Sequence, residues 1–267
     1  MIVKAVIQAR MSSSRLPGKV LLPLGTKPVL AHVFDRLEKC RLLDDIVLAT
    51  STDESDDVLE RFCADYGVAC FRGGLDDVLG RCYATTQVFA CDHIVRITAD
   101  CPLIDPSVVD AVVLGHLAGG YDYYGLAGEF PDGLDCTAIS ASVLSWAHEN
   151  ATLPSDREHI GPFIERSRER RWKKGELRLF AGMQDIRLTL DEVDDYEFLR
   201  HILEQAFKVD DPPTASVLNY VRANPDIQGI NSHISRNQGY EISLSKDDPL
   251  LTIPLQTFGM IENEIGG

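Results

Sequence analysis

The chain lacks any uninterrupted apolar run of the ~18–20 residues that a membrane-spanning helix needs, so no transmembrane helix is expected. It has seven cysteines, at 40, 63, 70, 82, 91, 101 and 136, but no Cys-x-x-Cys pair and no zinc-type spacing. Scattered and odd in number, they read as buried free thiols in a reducing cytoplasm. Positive charge is scarce: 26 Lys and Arg stand against 41 Asp and Glu, a formal net charge of −15. That balance argues against nucleic acid or an anionic membrane surface as the main partner. Neither a G-x-x-x-x-G-K-[ST] phosphate loop nor a G-x-G-x-x-G dinucleotide motif is present. No internal repeat, low-complexity segment or nucleophile–histidine spacing stands out. The first residues enter a strand without a signal-peptide pattern, and a cytoplasmic location is expected.

What is present is ordinary in composition and unusual in arrangement. At 267 residues, 45% hydrophobic and 25% charged, the chain suits one α/β domain with an extension and can bury a large core without staples. Strand and helix patterns alternate from the start to about residue 118: strands at 2–7, 45–50, 68–71 and 93–98, helices at 28–40, from 53, at 76–90 and at 106–118. Such alternation predicts a mostly parallel sheet with helices on both faces. Ligands of such sheets bind beyond the carboxyl ends of the strands. The later chain is less regular. Strands are expected at 121–124, 134–139, 177–181 and 186–190. Helices are expected at 140–149, from 155 into the basic run 166–174, at 192–207 and at 214–223. We expect a main domain over 1–230, with 120–175 as an insertion for acceptor binding or dimerisation, and a tail over 231–267, extended and partly disordered or packed on a partner.

The loop after the first strand gathers Arg10, Arg15 and Lys19 with Ser12, Ser13 and Ser14, and Pro17-Gly18 permits a tight turn. A basic Ser/Gly loop at a strand end is suited to hold a polyphosphate. Asp100 and Asp105 follow the strand at 93–98, and Asp191 follows the one at 186–190. A carboxylate at such a strand end, facing a triphosphate, suits Mg²⁺. Asp100 is the expected metal ligand and Asp191 the second, whereas Asp105 before Pro106 reads as a helix cap. The loop 76–81 would flank the nucleotide base. Asp132, Asp135, Arg157 and His159 offer charge for an acceptor. The basic run 166–174 reads as a solvated helix end.

These motifs together resemble a known family. Gln8-Ala-Arg-Met-Ser-Ser-Ser-Arg-Leu-Pro-Gly-Lys-Val-Leu21 is similar to the opening of the cytidylyltransferases that activate acidic sugars, the acylneuraminate and 3-deoxy-manno-octulosonate enzymes, and most of all to the spore coat polysaccharide biosynthesis protein F-like branch. The segments 72–81, 96–105, 132–135, 156–159 and 187–191 match that branch in order. The resemblance implies a nucleotide-diphospho-sugar transferase-like fold, CTP and a small acidic sugar as substrates, Mg²⁺ as cofactor and a homodimer. It implies that Gln8, Ala9, Arg10, Ser12, Ser13, Arg15, Lys19, Arg72, Arg81 and Asp100 bind nucleotide, that Arg10, Lys19 and Asp100 carry catalysis, and that Asp100 and Asp191 hold the metal. Met11-Ser-Ser-Ser-Arg15 and Ala99-Asp-Cys-Pro-Leu103 depart from the two named enzymes and leave the sugar open; the alternatives are a glycosyltransferase on the same fold, against which the basic loop argues, and a non-catalytic nucleotide-binding protein, which the irregular tail and the missing second carboxylate beside Asp100 allow.

Overall fold

The computed structural model describes residues 1–247. Its centre is a seven-stranded sheet built from β1 (Val3–Gln8), β2 (Asp45–Ser51), β3 (Ala69–Gly73), β4 (His93–Thr98), β5 (Tyr123–Ala127), β6 (Thr137–Ser140) and β7 (Lys174–Arg178). The spatial order is β3-β2-β1-β4-β6-β5-β7. The first four strands are parallel. β6 runs antiparallel to both β4 and β5, and β7 pairs parallel with β5. β1 is buried on both faces, with Ala5, Val6 and Ile7 fully enclosed, which is why it reads as one apolar run and not as an alternation.

Helices cover both faces. α1 (Val29–Leu37), α2 (Asp57–Tyr66) and α4 (Pro106–Gly119) pack Phe34, Leu59 and Val109 onto one side of the sheet. α3 (Val78–Val88) and α5 (Ala141–Asn150) pack Leu79, Cys82 and Leu144 onto the other. Asp105 caps α4, accepting from the Ser107 and Val108 amides at 2.7 and 3.3 Å. A third apolar cluster lies beneath α8 (Val193–Arg200) and α9 (Thr214–Ala223) and joins Phe198, Leu199 and Val217 to Leu188 and Leu190. The seven cysteines are all free thiols.

Four expectations need correction. The stretch 186–190 alternates as a strand would, but it joins no ladder beyond one bridge between Asp132 and Arg187. Its amides reach loop ends instead, Leu188 to the Asp132 carbonyl at 2.7 Å and Leu190 to the Asp100 carbonyl at 2.8 Å. The helix from 155 breaks into α6 (Pro154–His159) and α7 (Gly161–Arg166) at Ile160, a fully buried residue held at φ 57° and ψ −63°. Such a backbone costs a β-branched residue on the order of 1–3 kcal/mol, and burial of its side chain offsets it. The basic run then leaves the helix at Arg166 and enters β7 at Lys174. The fourth concerns the tail. After a short helix α10 (Pro225–Gln228), Gln238–Leu244 forms a helix, α11, that packs against the main body; residues 248–267 lie outside the described residues.

Candidate active site

The carboxyl ends of β1 and β4, the segment 187–191 and α11 enclose a cavity of about 480 Å³. The loop after β1 is shaped by Gly18, whose φ of 73° starts a single helical turn at Lys19. The Gly18 amide closes the loop on the Met11 carbonyl at 2.9 Å, and the Met11 amide is anchored at 2.7 Å on the fully buried Asp56 carboxylate. This fold turns Lys19 inward, where it is only 8% exposed. Its ammonium donates to Asp100 Oδ2 at 2.5 Å, Asp191 Oδ1 at 2.8 Å and the Leu190 carbonyl at 2.8 Å. Burial opposes the Lys19 charge, but the two carboxylates outweigh it and raise the pKa. Burial likewise opposes the Asp191 charge, and Lys19, Arg15 and Arg187 outweigh it and lower that pKa.

Arg15 lies 2.8 Å from Asp191, and Arg10 lies 2.8 Å from Glu158. Thus all three cations of the loop face carboxylates inside an open, polar cavity. A triphosphate entering there would meet cations already gathered and would take the place of their internal partners. Behind this cluster Arg187 binds Asp132 at 2.6 Å, Asp191 at 2.9 Å and the fully buried Asp195 at 2.8 Å. Asp195 also accepts from the Asp191 and Glu192 amides, so Asp195, rather than Asp191, ties down the start of α8 and leaves Asp191 free to face the cavity.

A sequence model of the cytidylyltransferases matches residues 4–208. The chain belongs to the cytidylyltransferase family. A solved cytidylyltransferase from Leptospira borgpetersenii superposes with a TM-score of 0.80 at 32% identity, over 85% of this chain and 96% of that one. The spore coat polysaccharide biosynthesis protein SpsF of Bacillus subtilis is 31% identical over 83% of this chain and 94% of its own length. A 3-deoxy-manno-octulosonate cytidylyltransferase of Pelobacter propionicus is 31% identical over 42% of this chain and 43% of its own.

In this cytidylyltransferase the cavity collects Gln8, Ala9, Arg10, Ser13, Arg15, Lys19, Arg81, Asp100, Asp132, Asp135, His159 and Asp191 from the expected set. Arg81 is almost fully buried, and its guanidinium holds the carbonyls of Gly74 and Leu75 at 2.5 and 2.7 Å, so it shapes the loop before α3. Three expected residues are elsewhere. Ser12 is exposed and outside the cavity lining. Arg72 turns to the outer face, where Asp57 and Glu60 pair it and the Ser51 and Asp53 carbonyls accept from it. Arg157 grips Asp77, the cap of α3, at 2.7 Å and the His148 and Ala151 carbonyls; it docks α6 onto α3. Both arginines read as ligand groups in sequence because their partners lie on other elements that only folding brings near.

Gly133 sets the other wall. Its φ is +93°, and a Cβ there would stand 2.6 Å from the Leu188 carbonyl carbon and the Thr189 nitrogen. Only glycine lets the 131–135 turn lie this close to 187–191. Asp132 is pushed up to about 7 by burial and by Asp135, against the pull of Arg187 and Arg236.

Reading the sequence for sites missed several lining groups. Arg96, Thr98, Glu158, Arg187 and Thr189 line the cavity, as do Gln238, Tyr240 and Ser243 of α11. A signal existed for four of them. Arg96-Ile-Thr-Ala-Asp100 and Arg187-Leu-Thr-Leu-Asp191 are the same Arg-x-Thr-x-Asp pattern, and extended chain puts its Arg, Thr and Asp on one face. The α11 residues carried no signal. Among the described residues no three His, Cys, Asp or Glu side chains form a metal cage. The Asp100–Asp191 pair nevertheless fits Mg²⁺: two carboxylates from different loops already converge on one cation, the Lys19 ammonium, and Mg²⁺ takes one or two carboxylates and completes its shell with phosphate oxygens and water.

Proposed function

We propose that this cytidylyltransferase transfers CMP from CTP to a small acidic sugar of the ulosonic or nonulosonic type and releases pyrophosphate. The observation that carries the reading is the convergence of Arg10, Arg15 and Lys19 with Asp100 and Asp191 in one polar cavity. The names of two relatives support it further, one from polysaccharide biosynthesis and one acting on an octulosonate.

In this mechanism a hydroxyl oxygen of the acceptor attacks the α-phosphorus of CTP. The new P–O bond forms as the bond from that phosphorus to the bridging oxygen breaks, and the hydroxyl proton passes to solvent. Arg10, Arg15 and Lys19 bind the charge that grows on the departing pyrophosphate. Asp100 and Asp191 would hold Mg²⁺, which when bound neutralises phosphate charge and polarises the phosphoryl group. Arg81 and the 74–75 turn border the base, and Asp132, Asp135 and His159 border the acceptor. The reading includes a homodimer through residues 120–175, the segment that leads into β7 at an outer edge of the sheet, and sheet edges are natural pairing surfaces.

A pyrophosphate-release screen of the four nucleoside triphosphates against several sugar acids tests it. Release that needs both CTP and an acid is the expected result. Release with a neutral sugar alone, or a preference for another triphosphate, would refute it, and CTP binding without turnover across the panel would mark a non-catalytic nucleotide-binding protein.

A further inference from the structure

The two Arg-x-Thr-x-Asp segments differ in one respect. Arg187 has carboxylate partners on Nε, Nη1 and Nη2. Arg96 donates from Nε to Gln8 Oε1 at 2.8 Å, and among the described residues Nη1 and Nη2 meet no acceptor. The other cations of the cavity are served. Arg10, Arg15 and Lys19 face carboxylates, Arg81 binds carbonyls, and Lys246 is exposed to water.

Arg96 is half-buried on β4, on the same face as Ile94, which packs under α3 and α5. It lies on the cavity floor near His159. His159 is held below its ordinary pKa by burial first, then by the charges of Arg96 and Arg10 against those of Glu158 and Asp247, so Arg96 acts on the ring beside it as an unneutralised charge. A guanidinium cannot shed its charge by deprotonation, and a half-buried cation without a counter-ion is costly to keep. With Nε braced by Gln8, the remaining nitrogens form a fixed fork, the geometry that binds a planar carboxylate through two parallel hydrogen bonds. The triphosphate has its own cations in the loop after β1. Arg96 sits within β4, whereas Asp100, which meets Lys19, lies in the turn beyond it, and among the described residues Arg96 shares no hydrogen-bond partner with Arg10, Arg15 or Lys19.

We propose that Arg96 binds the carboxylate of the acceptor and thereby selects acids over neutral sugars. The inference rests on the reading of the protein as a cytidylyltransferase for acidic sugars. Thr98, two positions on along the same face, leads from the bound carboxylate toward Asp100 and the reacting phosphorus.

The test uses the full-length protein with Arg96→Gln and Arg96→Lys. The acceptor probes are 3-deoxy-manno-octulosonate and N-acetylneuraminate, each beside its methyl ester, with pyrophosphate release as the rate and calorimetry for CTP affinity. The wild type should prefer acid to ester strongly. Arg96→Gln should raise KM for the acid about 100-fold, bring acid and ester close to parity and leave CTP affinity within about twofold. Arg96→Lys should recover part of the loss, because a single ammonium keeps the charge without the fork. Retained CTP binding shows that a variant is folded. An Arg96→Gln protein that loses CTP affinity while its acid KM is unchanged would place the fork on the nucleotide and overturn the proposal. So would unchanged discrimination between acid and ester, or a wild type that releases pyrophosphate with no acid of the panel. A wild type that transfers CMP only to neutral sugars overturns this inference but leaves cytidylyl transfer standing; one that binds no CTP overturns the reading of function itself.

Discussion

The Lys19 ammonium and the Asp100 carboxylate meet at 2.5 Å, joining the loop after the first strand to the turn after β4. Asp191 shares the same ammonium at 2.8 Å. The lysine therefore stands between the two carboxylates proposed to hold a metal, and Lys19 and Asp191 each favour the charged form of the other. Entry of a magnesium–triphosphate would exchange partners within the cluster: phosphate for the carboxylates at Lys19, metal for the lysine at Asp100 and Asp191.

Asp100→Asn should lower turnover at least about 100-fold, since it removes a hard ligand beside the phosphates. The fold should survive, because Lys19 retains Asp191 and the Leu190 carbonyl. Pyrophosphate release together with circular dichroism checks both. Near-normal release by a folded Asp100→Asn protein would remove Asp100 from the mechanism.

Lys19→Gln leaves Asp100 and Asp191 facing each other without the cation between them. A stability loss on the order of 1–3 kcal/mol is expected, seen as a melting point lower by several degrees. Millimolar Mg²⁺ should raise that melting point more in the variant than in the wild type, because it then fills the space between two repelling carboxylates. Equal Mg²⁺ responses in the two proteins would speak against a shared cation site.

Ending the chain after Ser235 removes α11, and with it the hydrogen bonds of Gln238 to Arg15 and of Ser243 to His159. None of the three apolar clusters includes a described residue beyond Ile230, so the shortened protein should fold, but with a melting point lower by several degrees, because the buried Ser155 amide and hydroxyl lose the Asp247 carboxylate and Asp135 loses Arg236. Its KM values should rise about 10-fold, because stripping polar groups from one wall of a site costs roughly 1–2 kcal/mol. Unaltered KM values would show that α11 lines the cavity without contributing to binding.

Stability should fall as pH drops from about 6.5 toward 4, through His116. Its ring meets His93 at 2.9 Å, is 1% exposed and has its pKa lowered to about 4, by burial first and then by His93, against Asp122. In that window the unfolded chain binds the proton and the folded chain does not, so acid favours unfolding. Stability is complete above the unfolded value near 6.5 and is lost progressively as pH falls through the folded value. The full difference is roughly 3 kcal/mol as an upper figure. Chemical denaturation at several pH values should show this slope in the wild type and a shallower one in His116→Leu.

The sequence by itself determined the layered α/β core. The burial of β1 and β4 and the helical spacing of Val29, Leu30, Val33 and Phe34 are local patterns, and a local pattern survives in one dimension. It also marked the loop at 10–19 and the carboxylates Asp100 and Asp191, because unusual chemistry at a strand end is visible before folding. Tertiary structure alone decided which charges meet. Arg72 and Arg157 are spent on Glu60 and Asp77, Lys19 is shared between two carboxylates, and Arg96 keeps a fork without partners among the described residues. It also decided that Gln238–Leu244 closes the cavity. Ion pairing depends on distances of 3–4 Å between groups up to about 170 positions apart, and no period or spacing along a chain encodes such a distance.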